Sequence, residues 1–245
     1  ITNMTRMQME MGSKNALAVM DDADIDLAVA CAVNGAFGGT GQKCTASSRI
    51  IVHDAVYDQF TDKMLAATRA LKVGHALEDG TQIGPVVSDG QLAENLDYVA
   101  LAGSEGGEIL CGGERLSLAH DGYYMAPCLV AGTQNDWRIN REEMFAPIAC
   151  IIRASSYQDA LDIVNDTPFG LTAGIMTTSL ARANHFRRNA DTGCVMVNLP
   201  TAGTDYHVPF GGRGDSSYGP REQGQYAVDF FTSTKTAYIA VGAVD

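Results

Sequence analysis

The sequence is poor in cations: Lys and Arg together number 17 against 29 Asp and Glu, giving a formal charge of -12 at pH 7. A nucleic-acid groove or a basic membrane-facing surface needs clustered Lys and Arg, so neither partner is expected. No apolar run approaches the ~20 residues that cross a bilayer, and the amino terminus lacks the basic, apolar and small-residue succession of a signal peptide. The expected location is cytoplasmic. The six cysteines (Cys31, Cys44, Cys111, Cys128, Cys150 and Cys194) include no C-x-x-C pair and no histidine at ligand spacing, which removes a zinc site and a disulfide framework. Internal repeats and low-complexity linkers are also missing.

The 245 residues, 46% of them apolar, can build one large core or two modest ones without covalent staples. Strand-like and helix-like segments alternate with short connections, the pattern of an α/β domain with a largely parallel sheet flanked by helices. Strands are expected at 15–20, 48–53, 108–111, 128–131, 148–153 and 193–198. Helices are expected at 24–37, 55–71, 88–101, 157–165 and 180–189, the third starting at a Ser88 cap. The segment 232–241 alternates well enough to be a terminal strand that trails off the compact part and joins a neighbouring subunit.

Five cysteines lie in apolar or β-like surroundings, such as Ile148-Ala149-Cys150-Ile151-Ile152, where an inert buried thiol is expected. Cys44 differs. It follows the glycine-rich run Phe37-Gly38-Gly39-Thr40-Gly41, which lets backbone amides approach a bound group, and Lys43 precedes it. Backbone donors and a cation lower a thiol's pKa, and the resulting thiolate can attack an aldehyde to give a thiohemiacetal and, after hydride loss, a thioester. A cysteine merely buried at a helix start fits the spacing equally well.

Four segments in order, Glu10-Met11-Gly12-Ser13-Lys14-Asn15, Gly41-Gln42-Lys43-Cys44-Thr45-Ala46, Glu142-Glu143-Met144-Phe145-Ala146-Pro147 and Pro209-Phe210-Gly211-Gly212, resemble the signature motifs of the aldehyde dehydrogenase superfamily. The similarity continues to Arg221-Glu222-Gln223-Gly224 and the closing Thr232-Ser233-Thr234-Lys235-Thr236. The resemblance implies the catalytic half of such an enzyme over residues 1–231, with an oligomerisation strand over 232–245. It implies Cys44 as nucleophile, Glu10 as the base for the deacylating water and Glu222 on the proton exit route. It places Glu143 on the hydroxyls of the nicotinamide ribose of NAD or NADP, Phe145 beside the nicotinamide, and Asn198, Phe210 and Gly211 at the active-site end. A carboxylate suits a diol because it accepts two hydrogen bonds. Met7, Met9 and Met11 are expected to give Glu10 an apolar setting that raises its pKa.

Ser13 and Ala146 stand where glycine is common in the superfamily, which bears on the backbone near Phe145. The resemblance also implies an NAD(P)-binding domain outside these residues. The clusters at Gly103–Gly107 and Gly112–Gly113 read as turns rather than a dinucleotide fingerprint. The chain alone is therefore expected to bind dinucleotide weakly, and the choice between NAD and NADP stays open. The loop 198–208 and the segment 216–224 are similar to those of α-ketoglutarate semialdehyde (2,5-dioxopentanoate) dehydrogenases. A small aldehyde with a carboxylate tail is the implied partner, with Gly38, Thr45, Thr201 and Phe210 at the substrate and Arg49, Thr201 or His207 available to its carboxylate. A homo-dimer or homo-tetramer is implied. Two other readings stay open: a thiol esterase without cofactor, and a non-enzymatic assembly domain.

Overall fold

A computed structural model describes residues 4–242. Its centre is a seven-stranded sheet formed by β1 (Asn15–Val19), β2 (Ser47–His53), β3 (Glu108–Cys111), β4 (Cys128–Thr133), β5 (Ile148–Ala154), β6 (Thr172–Met176) and β7 (Cys194–Val197). The spatial order is β7-β6-β1-β2-β5-β4-β3, and every pairing is parallel except that of edge strand β3 with β4. All five residues of β1 and of β6 are buried, as interior parallel strands covered on both faces must be.

Side chains alternate between two helical layers. Leu17, Val19, Ile50, Val52, Ala149 and Ile151 meet α1 (Ile25–Phe37) and α2 (Tyr57–Arg69). On the opposite face, Ala16, Ala18, Ile51 and Ile152 meet α4 (Tyr157–Asn165) and α5 (Leu180–Asn189), while Cys128, Val130, Ile148 and Cys150 meet α3 (Asp89–Ser104). Four of these helices begin on a side-chain cap: Asp24, Ser88, Ser156 and Ser179 accept from the amides of Leu27, Gln91, Asp159 and Arg182. Each such cap contributes about 1 kcal/mol. A last helix, α6 (Gly224–Phe231), lies on the surface. Among the described residues no helix is long and apolar enough to cross a membrane.

The sequence pattern missed β6. Its Thr-Ala-Gly-Ile-Met run has one β-branched apolar residue and a central glycine, weak strand propensity by any scale. Gly174 is there for packing: a Cβ would come 2.6 Å from the Leu17 side chain on β1. Among the described residues, the expected strand over 232–241 carries no ladder; Tyr238 and Ile239 are more than 90% exposed. A strand needs a partner edge for its amides and carbonyls, and the described residues offer that segment none.

Candidate active site

Three adjacent parallel strands are each preceded by one of the sequence motifs. Glu10 to Lys14 lead into β1, Cys44 to Ala46 into β2, and Glu143 to Pro147 into β5, and the sheet order β1-β2-β5 sets them side by side. The site therefore sits at the amino ends of the strands, opposite to the usual ligand crevice of open α/β sheets.

Cys44 is partly exposed at the turn that enters β2. The approach of this turn to the β5 segment requires glycine at 41, where φ is +65° and a Cβ would lie 2.1 Å from the Ala146 carbonyl oxygen. Asn15 Nδ2 donates to the carbonyls of Cys44 (2.7 Å) and Ala46 (2.9 Å), and Thr201 Oγ1 donates to that of Thr45 (2.8 Å). The thiol's pKa is raised, first by burial and then by the anionic Glu143 and Glu10; the amides of Cys44 and Thr45 pull the other way. This corrects the expectation of a lowered pKa. Lys43 is exposed, its stem lying against Gly39, and the charges that reach the thiol are carboxylates.

Glu10 pairs in register with Ser217 in a two-residue antiparallel ladder, Met9–Glu10 with Ser217–Tyr218. Ser217 Oγ donates to Glu10 Oε2 (2.8 Å) and accepts from the Gly212 amide (2.6 Å). Burial raises the Glu10 pKa, the Ser217 hydrogen bond lowers it, Glu222 raises it and Arg221 lowers it. Glu222 is thus near Glu10, held by reciprocal backbone hydrogen bonds to Phe210. Met7, Met9 and Met11 are exposed and do not cover Glu10. The strand pleat sends Met9 and Met11 to the face opposite Glu10, so burial comes from the Gly211 and Ser217 side.

Glu143 is half-buried, with Oε1 accepting from the Ser13 amide (3.0 Å) and burial raising its pKa. A Cβ at Gly12 would fall 1.9 Å from Glu143 Oε2, so glycine there makes room for the carboxylate. Phe145 projects outward, 40% exposed, from a left-handed backbone at φ 53°. A bulky residue held at positive φ is strained by about 1–3 kcal/mol, and such strain gathers at functional sites. The neighbouring Ala146 is buried.

The other sequence candidates divide. Gly38 is partly exposed near the thiol turn, with Asn34 Oδ1 3.0 Å from where a Cβ would be. Phe210 is nearly buried. Thr45 and Thr201 are buried and support the turn rather than line a surface. Arg49 is 1% exposed, and four of the five N–H donors of its guanidinium go to the carbonyls of Lys14, Ile163 and Val164 and to Asn135 Oδ1, so it is packed inside the fold rather than presented to a substrate carboxylate. His207 is exposed and packs edge-on against Tyr206. Asn198 spends its amide on the backbone of Thr177.

The sequence is matched by the model of the aldehyde dehydrogenase family over residues 1–237. The chain belongs to that family. It is 40% identical over 234 residues to an α-ketoglutaric semialdehyde dehydrogenase of Bacillus subtilis, covering 95% of this chain and 48% of that protein. It is 37% identical to a 2,5-dioxopentanoate dehydrogenase of Saccharolobus solfataricus, covering 96% and 49%. In structure it is similar to betaine aldehyde dehydrogenase from Staphylococcus aureus in complex with NAD+, with a TM-score of 0.89 at 28% identity over 94% of this chain and 46% of that one. The chain spans about half the length of the curated relatives it matches.

Within this candidate site, sequence reasoning missed Ser217, Asn15 and Lys14. Ser217 meets Glu10 across 207 positions, a contact only the fold reveals. Lys14 is fully buried, its Nζ has no hydrogen-bond partner among the described residues, and burial holds its pKa down to about 8. The unfolded chain, with an ordinary lysine, binds more protons between about 8 and 10.5, so stability rises with pH through that window and the full penalty applies below it. Lys14→Met is expected to raise stability at pH 7 by on the order of 3 kcal/mol. Denaturant titration at pH 7 and pH 10 checks this, with the gain shrinking at the higher pH.

Proposed function

We propose that this chain carries the acyl-forming and acyl-hydrolysing machinery of an NAD(P)-dependent aldehyde dehydrogenase, with α-ketoglutarate semialdehyde or a related semialdehyde as substrate. The observation that carries the reading is the convergence of Cys44, Glu10 and Glu143, with both carboxylates acting on the thiol. Cys44 Sγ attacks the aldehyde carbon, and the thiohemiacetal so formed loses hydride to become a thioester. Glu10 then takes a proton from the water that attacks the thioester carbonyl, and the acid leaves as Sγ is regenerated. Glu222, beside Glu10, passes that proton outward. A nicotinamide cofactor, when bound, supplies the hydride acceptor.

Glu143 fits the ribose of such a cofactor: Oε1 is held by the Ser13 amide, and Gly12 leaves the second oxygen unobstructed. Gly12→Ala is expected to push the carboxylate aside and raise the KM for the dinucleotide about tenfold, equivalent to one lost charge-assisted hydrogen bond. Ester hydrolysis through Cys44 should change little, which separates the ribose contact from the nucleophile. The semialdehyde assignment leans on the two semialdehyde-oxidising relatives. Steady-state kinetics of the full protein tests it: α-ketoglutarate semialdehyde should show the highest kcat/KM in a panel, and preference for long aliphatic or aromatic aldehydes would remove it. The carboxylate-binding cation for that substrate is neither Arg49 nor any other fully buried group.

A further inference from the structure

We propose that Asn15, oriented by Ser13, acts with Thr201 as a carbonyl clamp: these are positioning residues that fix the peptide planes of the Cys44 turn so that its amides face the thiol. The inference deepens the reading of Cys44 as nucleophile and rests on it.

Each carbonyl from Lys43 to Ala46 is taken. The Ala46 amide closes the turn onto Lys43 O (3.0 Å), Asn15 Nδ2 holds Cys44 O and Ala46 O, and Thr201 Oγ1 holds Thr45 O. A peptide group is planar and trans, so its N–H points opposite to its C=O. Holding Cys44 O thus fixes the plane that carries the Thr45 amide, and holding Thr45 O fixes that of the Ala46 amide, which through Lys43 O sets the plane carrying the Cys44 amide. The amides of Cys44 and Thr45 are the two that pull the thiol's pKa down.

The direction of the clamp is determined by chemistry. Asn15 Oδ1 receives the Thr172 amide (3.0 Å), which can only donate, while Cys44 O and Ala46 O can only accept. The carboxamide has one orientation consistent with all three. Ser13 Oγ, 2.8 Å from Asn15 Oδ1, must then be the donor and adds to the lock. Thr201 is likewise seated, its Oγ1 2.5 Å from Ser47 Oγ. Asn15, Thr201, Ser13 and Ser47 are all buried, so water cannot replace a lost donor cheaply. Because the Ser13 amide also holds Glu143, one residue touches both the carbonyl clamp and a carboxylate that acts on the thiol.

The test uses the full protein and reads the pH profile of Cys44 alkylation by iodoacetamide, together with kcat and KM for the aldehyde. Thr201→Val removes one hydroxyl donor without adding charge, and Thr201→Ser keeps it. Asn15→Asp keeps the acceptor contacts and removes the Nδ2 donors. Thr201→Val and Asn15→Asp are each expected to move the alkylation midpoint up by about one pH unit, a roughly tenfold loss of rate below the midpoint. They should lower kcat with KM within about twofold of wild type, since the clamp acts on the reacting group and not on substrate binding. Thr201→Ser should match wild type. An unchanged midpoint and kcat in folded Thr201→Val overturns the clamp, and that comparison decides even if Asn15→Asp does not fold. Aldehyde turnover that survives in Cys44→Ala overturns the underlying reading of Cys44 itself, a failure distinct from that of the clamp.

Discussion

Cys44→Ala is expected to lower aldehyde turnover by on the order of 10⁴-fold or more, because it deletes the atom that forms the covalent intermediate. Single-turnover measurement of dinucleotide reduction should show no burst, and stoichiometric thiol labelling under native conditions should fall by the share that Cys44 contributes. Cys128 and Cys150 contribute little background, being buried in the α3-facing core with burial pushing the Cys150 thiol up to about 12, whereas Cys111 and Cys194 are partly exposed, so the labelled position is read by peptide mapping. Cys44 is itself raised by burial and by two carboxylates, so its alkylation rate should keep climbing with pH beyond the range of an ordinary cysteine. Glu143→Gln removes the larger of the two anionic contributions. It should speed alkylation at pH 7 to 8 even though it weakens the dinucleotide, and a slower reaction would show that the carboxylate activates the thiol rather than opposing it.

That opposition was not legible in the sequence, whereas most of the scaffold was. Strands β1 and β5 are near-continuous apolar runs and β2 has the β-branched centre Ile50-Ile51-Val52, so local pattern and tertiary burial agree. Strand β6 failed because its residues were chosen to fit under Leu17 rather than to be good strand formers. Resemblance of the motifs to those of the aldehyde dehydrogenases implied that Cys44, Glu10 and Glu143 share one site, and the sheet order sets their segments side by side. Their electrostatics depended on which neighbour faced the thiol, and Lys43, adjacent in sequence, turned out to lie along Gly39. Arg49 misled in the opposite direction. An arginine on a strand reads as a free cation, yet here it spends its donors on carbonyls that join β1 to the end of α4, a contact with no signature in spacing.

Glu10→Gln should separate the two halves of the reaction. Gln keeps the shape of the side chain and can still accept the Ser217 hydroxyl, so acylation of Cys44 proceeds, while the water that must attack the thioester loses its base. Deacylation is expected to slow about 10²- to 10⁴-fold, leaving a burst of about one equivalent of reduced dinucleotide and a mass increase on Cys44 equal to the acyl group. A variant that lost the burst in proportion would place Glu10 before the thioester. In the wild type, deacylation should fall as pH drops through the raised pKa of Glu10, since only the carboxylate can take the proton. The same shift bears on stability. A carboxyl whose folded pKa exceeds its unfolded value binds more protons when folded, so stability declines as pH rises from the ordinary carboxyl range through the raised value, above which the penalty is complete. Glu10→Gln, which carries no charge at any pH, should therefore melt higher than wild type at pH 7 and lose that advantage near pH 4. A Glu10 that destabilises at neutral pH and whose loss stops turnover would have the property expected of a group kept for its chemistry rather than for the fold.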